Sequence, residues 1–242
     1  MVLSEKTLIC IPALNEELNI QNTLSSLMEY VESSNILVVD DGSTDRTGSI
    51  AKGLGVNVIT LGSNLGVGAA MRVGFIFAHS YGYERIIQFD ADGQHDCTFL
   101  DVIEDALRHN DVVVGSRFSL DKSYKVSAFR FLAMRFLSIG VRILTGQRLT
   151  DVTSGFRGTG QRGIAVFADL YPSEYLGDTV ESLFIAYNHG LSIAEVPVKM
   201  NQRTLGVASN GPIKSAYSLL RVVATFTVFA ISTLLGRKKS NA

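Results

Sequence analysis

The chain of 242 residues is poor in the residues that small secreted folds rely on. It has two cysteines, Cys10 in an apolar run and Cys97 after an acidic cluster. Two are too few for a disulfide framework at this length, so they read as one core residue and one loop residue. Four prolines, set beside 22 glycines, exclude a collagenous or Pro-rich polymer. Charged residues reach only 19% against 46% hydrophobic, which excludes a disordered chain. No internal repeat or low-complexity linker appears. No Gly-x4-Gly-Lys-Ser/Thr loop occurs, which argues against a P-loop nucleotidase. Met1–Pro12 lacks a basic stretch followed by a long apolar one, so no secretory leader is expected and the chemistry is placed in the cytoplasm. What remains has the size of one large domain, or one domain with a short appendage.

The near-absence of net charge, −1 overall, conceals a division. Residues 1–116 carry 6 Lys+Arg and 16 Asp+Glu, a balance of −10, and residues 117–242 carry 16 and 7, a balance of +9. An acidic half joined to a basic half suggests two polar tasks in one chain, with no nucleic acid among the expected partners.

The acidic half alternates regularly. Thr7–Ile11, Ile36–Val39, Val56–Leu61, Ile86–Phe89 and Val112–Gly115 read as short apolar strands. Ile20, Leu24, Leu27 and Val31 have helical spacing, and Thr44–Leu54, Val67–Ser80 and Leu100–Arg108 read as further helices. Asn15 is expected to cap the first helix, and Ser43 or Thr44 the second. This βαβαβαβαβ order predicts an α/β fold, a mainly parallel sheet with helices on both faces. Ligands of such sheets bind beyond the carboxyl ends of the strands. The polar clusters of the chain follow strand ends.

Asp90-Ala91-Asp92-Gly93-Gln94-His95-Asp96 is the densest cluster. Two carboxylates at i and i+2, with a Gln and a His, suit a divalent cation bridging a diphosphate, although an Asx-rich turn uses the same residues. Asp40-Asp41-Gly42-Ser43-Thr44-Asp45 follows another strand and can accept hydrogen bonds from a base or ribose. Asn64-Leu65-Gly66-Val67-Gly68 resembles a phosphate-cradling loop but lacks the third glycine of a dinucleotide fingerprint.

The basic half carries apolar stretches suited to a membrane surface. In Phe129–Leu144, Arg135 and Arg142 share a helix face with Ser138, while Phe129, Leu132, Ala133, Phe136 and Leu137 fall largely elsewhere. Leu219–Leu235 is nearly all apolar and precedes Arg237, Lys238 and Lys239. Its length as a helix, about 26 Å at roughly 1.5 Å per residue, is short of a comfortable bilayer crossing. It is expected to span, to lie on, or to dock at a membrane, with the basic tail on an anionic surface.

Taken in order, Ile11-Pro12-Ala13-Leu14-Asn15-Glu16, Val39-Asp40-Asp41-Gly42-Ser43-x-Asp45, Asn64-x-Gly66-x-Gly68, Asp90-Ala91-Asp92-Gly93-Gln94-His95 and Gly115-Ser116-Arg117 resemble the motifs of family 2 glycosyltransferases. Thr150-Asp151-Val152-Thr153-Ser154-Gly155-Phe156-Arg157 and Arg203-x-x-Gly206 extend the similarity toward the dolichol-phosphate-mannose-synthase-like polyprenyl-phosphate glycosyltransferases. The resemblance covers roughly residues 7–210.

It implies a GT-A (Rossmann-like) domain over residues 1–212, with a donor and metal half (1–116) and an acceptor half (117–212), followed by a C-terminal membrane-associated helix and tail (213–242). It implies a nucleotide-diphosphate sugar as donor beside Pro12, Asn15, Glu16, Asp40, Asp41, Ser43, Asn64, Gly66 and Asp90. It implies Mg²⁺ or Mn²⁺ on Asp90, Asp92 and Gln94, and transfer carried by Asp92, Arg117 and Arg203. Polyprenyl phosphate is the implied acceptor, its phosphate met by Arg117, Arg130, Ser154 and Arg203, at the cytoplasmic face of a membrane. Having one C-terminal apolar stretch rather than a bundle leaves room for a small membrane-protein partner or a homo-oligomer.

The sequence departs from the pattern at Ala13-Leu14, at Asp96-Cys97-Thr98 and at Val207-Ala208-Ser209. Asp178 and Glu181 are either site acids or first-turn charges favoured by a helix dipole. The competing expectation is transfer to a glycan hydroxyl, which needs a base from among Asp151, Asp178 and Glu181. A non-catalytic membrane scaffold is a third, opposed by the intact Asp90/Asp92/Gln94 set.

Overall fold

A computed structural model describes residues 3–117, 135, 137–143, 146–172 and 178–201. Among them run the strands β1 (Thr7–Ala13), β2 (Ile36–Asp40), β3 (Asn57–Thr60), β4 (Arg85–Gln88), β5 (Val112–Ser116), β6 (Arg157–Gly160) and β7 (Ile193–Pro197). The helices are α1 (Ile20–Leu27), α2 (Thr47–Gly53), α3 (Val67–Ser80), α4 (Leu100–Ala106), α5 (Gln161–Leu170) and α6 (Asp178–Asn188). Residues 137–143 are also helical.

The strands form one sheet in the order β3-β2-β1-β4-β6-β5-β7. Pairing is parallel for β1 with β2 and β4, β2 with β3, and β5 with β7. The short β6 runs antiparallel between β4 and β5. The carboxyl ends of β1, β2, β4, β5 and β7 therefore share one edge of the sheet.

The apolar runs are continuous because both faces of the sheet are covered. Successive residues of β1 divide between two cores: Leu8 and Cys10 pack on one side, Ile9, Ile11 and Ala13 on the other. The first core takes Met71, Phe75 and Ala78 of α3, Ile164 and Phe167 of α5, and Leu183 and Phe184 of α6. The second takes Leu24 and Leu27 of α1 and Ile103 of α4.

All five strands expected from the acidic half are present, but β5 does not lie beside β4. The strand between them, β6, reads Arg-Gly-Thr-Gly and has no apolar run to announce it. Its glycines are what the packing needs, since a Cβ on Gly158 would lie 2.5 Å from Cγ2 of Ile103 in α4.

A similar close approach sets α3 on β1. A Cβ on Gly74 would lie 2.4 Å from Sγ of Cys10. Burial raises the pKa of that thiol to about 12, so it packs as a small protonated apolar group. Gly74→Ala is expected to cost about 1–3 kcal/mol through overpacking, measured by urea unfolding. Adding Cys10→Ala should return part of that loss.

No helix among the described residues is long and apolar enough to cross a membrane. Leu219–Leu235 and the basic tail lie outside the described residues.

Candidate active site

The expected site residues that are described gather along the shared carboxyl edge. Pro12 is the next-to-last residue of β1, Asn15 and Glu16 follow that strand, Asp40 ends β2, and Asp41 and Ser43 follow it. Asn64 and Gly66 precede α3, Asp90, Asp92 and Gln94 follow β4, and Arg117 follows β5. Arg130 and Arg203 lie outside the described residues.

The loops after β1 and β2 are laced to each other. The N–H of Asn15 donates to Oγ of Ser43 (2.9 Å), and Oδ1 of Asn15 accepts from the N–H of Thr44 (2.9 Å). The N–H of Glu16 donates to Oγ1 of Thr47 (2.8 Å), and that of Glu17 to Oδ2 of Asp45 (3.1 Å). Asn15 reaches this arrangement at a φ of 53°, a left-handed conformation that Asn tolerates.

The capping expectations are therefore corrected. The first residue of α1 follows Asn19, and that of α2 follows Arg46, so Asn15, Ser43 and Thr44 cap neither helix. Their side chains find partners across the two loops instead.

Asp45 ties the lacing together. Burial pushes its carboxyl up, but hydrogen bonds from the Thr47 hydroxyl and from backbone N–H groups outweigh that and leave its pKa below the ordinary value. A depressed carboxylate stabilises the fold above its unfolded pKa and loses that contribution as pH falls through its folded pKa. Wild-type Tm should therefore fall more steeply on acidification below about pH 4 than that of Asp45→Asn, followed by calorimetry.

Asp41 is buried, and its two oxygens accept from the N–H groups of Leu65 and Gly66, both at 2.8 Å. It anchors the glycine loop beneath the edge. Asp40 is buried too, with Oδ1 accepting from the N–H of Ser43 (2.9 Å). Directly after them Gly42 has a φ of 77° and lies so close to the loop at 63–64 that a Cβ would sit 2.7 Å from the carbonyl carbon of Ser63. Glycine is required there on both counts.

The Asp90 carboxylate is 38% exposed, and Asp92 and Gln94 are half-buried. Oδ1 of Asp92 accepts from the N–H of Gln94 (3.0 Å), which closes the loop as an Asx turn. Two carboxylates and a carboxamide are hard oxygen groups of the kind Mg²⁺ and Mn²⁺ take, with positions left for phosphate and water. Among the described residues no group of three or more His, Cys, Asp or Glu could hold a metal by itself.

His95 does not extend that set, contrary to the expectation that grouped it with the ligands. Its side chain is fully buried, and burial lowers its pKa, as does Arg117, against the raising effect of Asp90.

Opposite this loop stands a buried ion pair. Nε of Arg117 donates to Oδ2 of Asp151 (2.6 Å) and Nη2 to Oδ1 (2.8 Å), with side chains 10% and 0% exposed. Glu195 of β7 holds the turn that carries Asp151: its Oε1 accepts from the Thr150 hydroxyl (2.6 Å) and its Oε2 from the Asp151 N–H (3.1 Å). Arg157 of β6, also buried, braces the same loop by donating to the carbonyls of Val152 (2.6 Å) and Ser154 (2.7 Å).

Sequence reasoning passed over Glu195 and treated Arg157 only as part of a motif. The one available signal for Glu195 was a lone acid inside the apolar strand Ile-Ala-Glu-Val-Pro.

Ser154 is 1% exposed, with Oγ accepting from the N–H of Phe156 (3.3 Å), so its hydroxyl faces the loop. Asp178 and Glu181 fall in the first turn of α6, the position a helix dipole favours for acids. The described chain ends beside the metal-type loop, where the N–H of Asn201 donates to the carbonyl of Gln94 (2.8 Å).

The sequence matches the family described as glycosyl transferase family 2 over residues 8–160. It is 31% identical to a polyprenol monophosphomannose synthase of Mycolicibacterium smegmatis, covering 85% of this chain and 81% of that one. It is 33% identical to an undecaprenyl-phosphate mannosyltransferase of Micrococcus luteus, covering 83% and 86%. The fold matches a crystal structure of glucosyl-3-phosphoglycerate synthase from Mycobacterium tuberculosis in complex with Mn²⁺, uridine diphosphate and glucosyl-3-phosphoglycerate. That match has a TM-score of 0.69 at 20% identity and covers 96% of this chain and 79% of that one.

Proposed function

The chain belongs to glycosyl transferase family 2, and from that premise we propose that it transfers a hexose from a nucleotide-diphosphate sugar to a polyprenyl phosphate, with inversion at the anomeric carbon. The observation that carries the acceptor class is similarity over more than four fifths of the chain to two transferases named for polyprenyl-phosphate acceptors.

In this reading Pro12, Asn15, Glu16, Asp40, Asp41, Ser43, Asn64 and Gly66 form the nucleoside side of the donor site. Asp90, Asp92 and Gln94 hold Mg²⁺ or Mn²⁺, as their chemistry allows. The bound cation supplies positive charge to the donor diphosphate. A lipid monophosphate has a second pKa near 6, so its oxygen is already anionic at neutral pH and attacks the anomeric carbon without a general base. The nucleoside diphosphate departs from the opposite face. Arg117, held at a fixed angle by Asp151, orients a phosphate, and Arg130 and Arg203 are proposed to share that task, whereas the enclosed Ser154 hydroxyl, contrary to expectation, serves its own loop.

The buried state of Asp151 removes one of the three bases that a sugar-hydroxyl acceptor could use. A hydroxyl needs a base to take its proton, and Asp151 is enclosed against Arg117 with no exposed surface.

The proposal includes peripheral attachment at the cytoplasmic face of a membrane. Arg135, Ile139, Arg142 and Ile143 are exposed on one side of the helical stretch 137–143 and its approach, while Leu137 and Val141 are buried on the other. Mixed Arg and Ile on an outer face suits anionic headgroups. Arg135→Glu with Arg142→Glu is expected to release the protein from phosphatidylglycerol-containing vesicles in a flotation assay while leaving its Tm unchanged.

The direct test incubates membranes containing the protein with labelled nucleotide sugars and polyprenyl phosphate, then extracts the lipid. A labelled polyprenyl-phosphate sugar is expected. Label on an added oligosaccharide, with none in the lipid fraction, would overturn the assignment.

A further inference from the structure

We infer that His95 is a positioning residue, whose buried imidazole sets the orientation of the Asp90 carboxylate for cation binding. The inference rests on the proposed role of Asp90 as a metal ligand and names the group that holds it in place.

The ring is anchored at one nitrogen. Nδ1 of His95 accepts the N–H of Asp90 at 3.0 Å. A nitrogen that accepts cannot also carry a proton, so the proton of the ring is assigned to Nε2. That nitrogen is buried and makes no hydrogen bond among the described residues. It lies 3.3 Å from Oδ2 of Asp90, within ion-pair distance yet off the line of a formed N–H bond.

A buried donor left unsatisfied costs about 1–3 kcal/mol, so native interiors rarely keep one. Here the nearby acceptor is the partly exposed carboxylate that the cation would take, and a modest rotation of that carboxylate closes the hydrogen bond.

The ring itself cannot turn away. It stacks on Phe156 with centroids 4.5 Å apart and planes 15° apart, and meets Phe89 edge-on at 5.2 Å and 89°. A bridge between His95 and Met200 secures its backbone. The carboxylate has two further neighbours and is otherwise open. Nε2 of Gln88 donates to Oδ1 (3.3 Å), and Gly155 lies so near that a Cβ there would be 3.1 Å from Oδ2. An N–H···carboxylate contact behind a metal ligand fixes which lone pairs face the cation, and losing such a contact typically weakens metal binding by about 10–100-fold.

The substitutions separate the two nitrogens. Asn in place of His95 keeps an acceptor near Nδ1 and has nothing at Nε2, whereas Gln extends an N–H toward the Nε2 position. Mn²⁺ is titrated into the full chain without donor sugar, and free Mn²⁺ is followed by electron paramagnetic resonance, with Tm as the folding control. H95N should bind Mn²⁺ about 10–100-fold more weakly, and H95Q close to wild type.

Should H95N not fold, H95F keeps the aromatic sandwich without either nitrogen and should show the same loss. Wild-type affinity in whichever of H95N and H95F is folded overturns the inference. D90N separates this from the underlying assignment. If D90N loses Mn²⁺ binding while H95N keeps it, His95 alone is misassigned. If D90N keeps it too, Asp90 is no metal ligand and both assignments fall.

Discussion

Asp92→Ala should lower sugar transfer by about a hundredfold to a thousandfold, the scale on which removing one preorganised electrostatic group at a reacting centre acts. Asp92 lies half-buried on the loop that follows β4, at the edge where the strand ends converge. Its Oδ1 also accepts from the N–H of Gln94 at 3.0 Å, so alanine removes a charge and releases the loop together. Asp92→Asn separates these effects, because a carboxamide oxygen still accepts that bond while carrying no charge. If charge toward the cation is what matters, Asn should be nearly as inactive as Ala. If the Asx turn is what matters, Asn should be nearly as active as wild type. Product formation at saturating donor, with Tm as a control for folding, decides. Full activity in both variants would remove Asp92 from the site.

Asp151→Ala should produce the largest loss of stability. Its carboxylate is fully enclosed and takes two N–H groups of Arg117 at 2.6 and 2.8 Å. Removing one partner of a buried pair strands the other charge and costs about 3–5 kcal/mol. At roughly 2–4 °C per kcal/mol for a chain of this size, Tm should fall by about 10 °C. Replacing both partners, Asp151→Leu with Arg117→Met, should be milder than Asp151→Ala alone, since no uncompensated charge remains. Transfer should be lost in both variants, because the guanidinium is either misdirected or gone. A Tm for Asp151→Ala within a degree or two of wild type would show that the pair holds little of the fold, against the burial it displays.

Much of the acidic half was legible in the sequence. Leu8–Ile11 and Ile36–Val39 are apolar without interruption because each residue meets a helix on one face of the sheet or the other. Their ends were marked by Asp, Asn and Gly, residues suited to tight turns. The basic half was much less so. Arg157–Gly160 becomes a central strand through what its glycines let α4 do, and a four-residue Arg-Gly-Thr-Gly stretch has no periodicity to reveal it. The capping expectations for Asn15, Ser43 and Thr44 failed for a related reason. Local rules offer each side chain the following helix as a partner, and the fold offered a neighbouring loop instead.

By itself the sequence determined the alternating α/β order, the gathering of carboxylates at strand ends and the family to which the motifs belong. The first two follow from local composition and spacing, which do not depend on what lies across the sheet, and the third from the resemblance of the ordered motifs. Only the tertiary structure decided that β6 separates β4 from β5, that Arg117 is locked to Asp151 on the turn that Glu195 holds, and that His95 is buried against Phe156 with Nδ1 on the Asp90 N–H. Each joins residues distant in the chain or depends on which way a side chain is turned. Burial then converts the contact into free energy, because a charge or an N–H withdrawn from water must meet a partner that the fold brings to it.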